Sequence, residues 1–141
     1  MDFKKYLEEA ERFFRRHPHE LKGLKITQIH HKGRHKMNNT LDPVTGLGIF
    51  QVGPVPSSAV LPAGSIPAWT SSDVTMATVE TPNSDATGDT IKVTRVNSAG
   101  GAFTLTVVDT LTGGSVLQDA VLVTVPAVPV ALTGLSITQI A

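Results

Sequence analysis

Cysteine is absent from the 141-residue chain. Disulfides, thiolate metal ligands and thiol nucleophiles are therefore excluded. No stretch reaches the ~18 apolar residues of a membrane-spanning helix, so no membrane span is expected. Acids interrupt the first turns and no apolar run of signal-peptide length follows, so a secretory leader is not expected either. Cations are scarce beyond Lys36, where only Lys92 and Arg95 follow. Ten of the twelve Lys and Arg lie in Met1–Lys36 beside five acids, giving about +5 there and about −5 over the remainder. All five histidines also precede Met37. The length fits one domain with an appendage and suffices to bury a core without staples.

What is present divides at the same place. "MDFKKYLEEAERFFRRH" has the spacing of an amphipathic helix, with Phe3, Leu7, Ala10 and Phe14 on one stripe and Tyr6 and Phe13 widening it. Glu8 with Arg12 and Glu11 with Arg15 are favourable i,i+4 pairs, and Pro18 stops the run. Such a helix is near the ~12–15 residue limit for standing alone in water. Its four aromatics call for a surface, either on its own domain or on another subunit. A membrane surface fits less well, because acids are mixed with bases on the polar side.

From Gly23 the period becomes two. Leu24 and Ile26 alternate with Lys25 and Thr27, Ile49–Val52 is a short strand candidate, and three clearer strands follow. In these, Ile91 and Val93, then Phe103, Leu105 and Val107, then Val121, Val123 and Val125, each share a face. Turns rich in Gly, Asn and Ser separate them, so the expected class is mainly β, an antiparallel β-sandwich with an N-terminal helix. The expected division is 1–20 for the helix and 21–141 for the sandwich, with residues 30–48 a basic, turn-rich insertion lacking a clear strand. Pro54, Pro56, Pro62 and Pro67 are expected to keep "GPVPSSAVLPAGSIP" out of any central strand.

The most specific stretch is "IPAWTSSDVTMATVE" at Ile66–Glu80. Its Trp69, the turn Ser71-Ser72-Asp73 and the strand Met76–Val79 resemble the signature of bacterial immunoglobulin-like modules of the group-two type. The likeness extends over about Ile49–Val125 and is greatest to small single-module Ig-like proteins of tailed phages and prophages. It implies an Ig-like sandwich used for adhesion, display or particle decoration, and it carries no active site. Independently of the likeness, a lone Trp suits a sandwich core, and short oxygen-bearing side chains hold a tight turn.

Chemistry beyond scaffolding is thin. His31 and His35 are spaced for one metal ion, with His17, His19 and His30 near, yet a zinc site needs three or four ligands on firm elements. No metal or cofactor is expected. Lys32, Arg34 and Lys36 suit an acidic protein surface, an acidic glycan or phosphate. Nucleic acid is the weaker partner, because no recognised module or interleaved aromatic accompanies them. Asp85 and Asp89 lack the ordered ligand spacing of a calcium loop. No His is placed by any signature beside a Ser and an acid, and no acid–base pair of carboxylates stands out, so enzyme activity is not expected.

The expected role is a non-enzymatic virion or decoration subunit of phage type, located on an assembled particle as a homo-oligomer or part of a larger assembly. Phe3, Leu7, Phe13 and Phe14 would anchor it, with Lys32, Arg34 and Lys36 at the rim. The alternatives are a bacterial surface adhesion module binding carbohydrate or protein, and a basic-arm nucleic-acid binder. One feature cuts across these readings. "LKGLKITQI" at residues 21–29 returns as "LTGLSITQI" at residues 132–140. Different residues follow the two copies, so they read as first and last strands of the β domain, alike enough to substitute for each other between copies of the chain.

Overall fold

The structure, a computed structural model, describes residues 2–16, 20–29, 39–80, 87–131, 134 and 139; for residues 10–16 it describes the backbone alone. A helix, α1, covers Phe3–Arg16. Asp2 opens it, its carboxylate accepting the Lys4 N–H at 3.1 Å in the manner of an N-cap. Seven strands follow: β1 Gly23–Ile29, β2 Leu47–Val55, β3 Ala68–Ser71, β4 Ala77–Val79, β5 Thr90–Arg95, β6 Gly101–Thr110 and β7 Val116–Val125.

The strands form two antiparallel sheets, a β-sandwich of mainly β class, with orders β1-β2-β5-β4 and β3-β6-β7. Alternation builds the core. Each strand turns its odd or even set inward, and Leu24, Ile26, Phe50, Val52, Ile91 and Val93 from one sheet meet Phe103, Leu105, Val107, Val123 and Val125 from the other. Burial of such side chains is worth roughly 1.5–3 kcal/mol each. Gly48 takes an inward position where a Cβ would lie 2.6 Å from Leu41 Cδ2. The missing side chain makes room for Leu41, which is fully buried.

Two sequence expectations are corrected here. Residues 30–48 are expected to lack a clear strand before the candidate Ile49–Val52, and the prolines are expected to keep residues 53–67 out of any central strand. Instead β2 begins at Leu47, runs through Pro54 and lies between β1 and β5. The direction of the N–H groups explains why proline is tolerated. Val52 donates its N–H to Asp89 O, on the β5 side, at 2.8 Å. Two residues on, Pro54 faces the same way, but β5 pairs no further than Gln51↔Thr90. Pro54 is therefore an edge residue on that flank and loses no ladder bond, while on the other flank it sits opposite Leu24.

The flank between β1 and β7 is closed by side chains. Ile26 donates its outward N–H to Asp119 Oδ2 at 2.7 Å. Gln28, buried at the end of β1, donates from Nε2 to Thr40 O at 2.7 Å and accepts the Thr40 N–H at Oε1 at 3.0 Å. Thr40 also forms a parallel bridge to Thr124, with Thr124 N–H donating to Asn39 O at 2.8 Å and Leu41 N–H to Thr124 O at 2.9 Å. Asn39–Leu41 is thus stitched to β7 by backbone bonds and to β1 by one glutamine amide. The last expected strand, at residues 132–140, lies outside the described residues except for Gly134 and Gln139.

Candidate functional site

Two places carry residues singled out from the sequence, and the structure adds a third. The first is α1. Phe3, Tyr6 and Leu7 are 73%, 64% and 48% exposed. None of them joins the core cluster of the sandwich. Phe13 and Phe14 belong to α1 by backbone, and their side chains lie outside the described set. Lys32, Arg34, Lys36 and all five histidines also fall outside the described residues.

The second place is the corner from β3 to β4. Trp69 is only 7% exposed, and its indole Nε1–H donates to Gly88 O at 2.8 Å. The turn after it is held from within. Asp73 Oδ1 accepts the Thr75 hydroxyl at 2.6 Å and the Thr75 N–H at 2.9 Å. These two bonds, the hydroxyl first, hold the Asp73 carboxyl below its ordinary value of 3.8. Ser71 Oγ donates to Asp73 O at 3.0 Å, and Ser72 Oγ accepts the Thr104 N–H from β6 at 2.9 Å. Val79 packs against the core from β4. Every polar atom named here is spent on the turn or its neighbour, which makes this corner scaffold.

The third place carried no weight in the sequence reading. Leu61, Pro62, Ser65, Ile66, Asp89 and Asp109 line a cleft of ≈ 360 Å³. Asp109 ends the inward row Phe103-Leu105-Val107 on β6 and is 1% exposed. Ser65 Oγ sits 3.1 Å from Asp109 Oδ2 and 3.2 Å from Pro62 O. A hydroxyl has one proton, so it serves only one of these two acceptors at a time. Asp109 Oδ1 has no partner at all among the described residues. A buried carboxylate short of donors is uncommon and costly, and here it lies beside a cleft with apolar walls. The missed signal was the period of two: it points residue 109 inward, whereas an Asp before a turn reads as solvated.

Among the described residues, no group of three His, Cys, Asp or Glu side chains is placed to hold a metal ion, and no helix is long and apolar enough to cross a membrane. No family model matches the chain, and no curated protein matches it. The geometry alone therefore carries the functional argument. It offers exposed Phe3, Tyr6 and Leu7 on α1, a self-satisfied corner and a small acidic cleft.

Proposed function

We propose that the chain is a non-enzymatic structural subunit of the kind that decorates a phage-type particle. It docks on neighbouring subunits through α1 and presents an immunoglobulin-like sandwich outward. The observation that carries this reading is the exposure of Phe3, Tyr6 and Leu7 on a helix of 14 residues. A helix of that length gains its stability from a surface that buries its apolar side, and aromatic anchors ringed by polar residues are the usual composition of a subunit contact.

The strand order supports the immunoglobulin-like part. Lettered A to G along the chain, β1–β7 give sheets A-B-E-D and C-F-G, the four-plus-three arrangement of constant-type immunoglobulin domains. A buried Trp on the third strand is a further mark of that class, and Trp69 occupies that strand. The group-two signature from Trp69 to Val79 falls on the β3–β4 corner, where its Ser and Asp oxygens hold the turn.

Light scattering and electron imaging of the full chain and of a chain lacking residues 1–19 test the docking. The full chain is expected to associate or to bind a particle, and the shortened chain to stay monomeric with its β circular dichroism intact. Two monomeric species at high concentration, neither binding a particle, would remove the reading. The cleft beside Asp109 favours a second reading, a surface adhesion module, because a carboxylate lacking donors suits sugar hydroxyls. Glycan-array binding that is lost in Asp109→Leu, with α1 deleted and irrelevant, would select it.

A further inference from the structure

β1 turns Leu24, Ile26 and Gln28 inward and leaves Lys25, Thr27 and Ile29 exposed. Residues 132–140 repeat residues 21–29 at all but two positions, Thr133 for Lys22 and Ser136 for Lys25. Both lysines are exposed in the structure. Every side chain that β1 buries has its twin: Leu135 for Leu24, Ile137 for Ile26 and Gln139 for Gln28.

The glutamine is the most informative of the three. Alternating apolar residues recur in any half-buried strand, but a buried glutamine needs specific partners. Gln28 has them in Thr40 O and Thr40 N–H. Gln139 repeats the residue and is exposed, as is Gly134.

We infer that residues 132–140 are a second β1 strand, and that their acceptor is the β1 position, beside β2, of another copy of this chain. The position suits exchange. β1 is an edge strand whose backbone ladder runs to β2 alone, so replacing it breaks no second ladder. A donor in the same register brings the Ile137 N–H to Asp119 and the Gln139 amide to Thr40. Like replaces like, so the exchange costs little in contacts and its extent follows chain concentration. This contact is separate from α1 docking and does not depend on it.

The absence of native cysteine gives a direct test. Thr27 pairs with Gln51 across β1 and β2, and both are exposed. Thr138 in the donor strand would therefore face position 51. The full chain carrying Gln51→Cys and Thr138→Cys is oxidised mildly and analysed by non-reducing electrophoresis and peptide mass mapping. The expected result is reducible dimers and larger species linked between positions 51 and 138 of different chains. They should be lost when Ile137→Asp is added, since a carboxylate does not enter the interior slot. A 51–138 link within one chain would overturn the inference, because the strand would then serve its own sandwich. Free thiols would also overturn it, as would links that survive Ile137→Asp.

Discussion

Asp109 and Asp73 are both carboxylates in a Thr- and Val-rich sandwich, and their surroundings give them opposite effects on stability. Asp109 is buried with one oxygen unpartnered and the other sharing a single Ser65 proton with Pro62 O. Replacing such a group by an apolar one removes a desolvation cost of about 1–3 kcal/mol. Asp109→Leu is therefore expected to raise the urea midpoint; an unchanged or lower midpoint would show that the carboxylate is satisfied. Asp73 is bonded by the Thr75 hydroxyl and N–H, and its folded-state value is lowered. A carboxyl whose pKa falls on folding contributes stability that is present above its unfolded value and lost as pH falls through the folded one. Thermal midpoints measured downward from pH 6 are expected to drop more below about pH 4 in the native chain than in Asp73→Asn.

Among the elements, β1 offers the clearest test. Its outer edge is held by one carboxylate bond, from Ile26 N–H to Asp119, and by the Gln28 amide. Charge-assisted bonds of this kind are worth about 1.5–3 kcal/mol. Asp119→Ala is expected to destabilise by that order and to speed amide exchange in β1 ahead of β6 and β7, read by hydrogen–deuterium exchange. Uniform acceleration over all strands would mean that β1 has no separate opening. The same elements show what the sequence made legible. β5, β6 and β7 announce themselves by clean alternation, and the inward sets expected for them are buried, Val121 only partly. β2 is legible only at its centre, Ile49–Val52, because Gly48 and Pro54 mimic a loop towards its ends; the position of Leu41 explains the first and the paired end of β5 the second. In β1 the phase misleads at its end: Gln28 is buried and Ile29 exposed, because the amide's partner, Thr40, lies twelve residues away. The cleft was illegible for the same reason, since Ser65 and Asp109 meet only in three dimensions.

For the whole molecule, the decisive quantity is the division of charge. Residues 1–36 carry about +5 and the rest about −5. Within the sandwich even Arg95 is occupied, its guanidinium donating to Pro43 O at 3.1 Å and Pro126 O at 3.0 Å. Lys92 has Glu80 at 3.6 Å, a surface pair of small energetic value. On the docking proposed above, the basic end of one copy would meet the acidic body of the next. The Debye length shortens from about 10 Å at 0.1 M salt to about 3 Å at 1 M. Self-association followed by sedimentation is expected to weaken over that range, whereas purely apolar docking would hold or strengthen.

The stitch of Asn39–Leu41 onto β7 also bears on how many such molecules can share a small volume. Edge strands are where crowded β proteins fuse, because a neighbour's backbone finds open donors and acceptors there. Along this flank several of those groups already hold a carboxylate, an amide and a short crossing segment in place of a full strand. This flank of one sandwich can therefore touch a neighbour without zipping into a continuous cross-β ribbon.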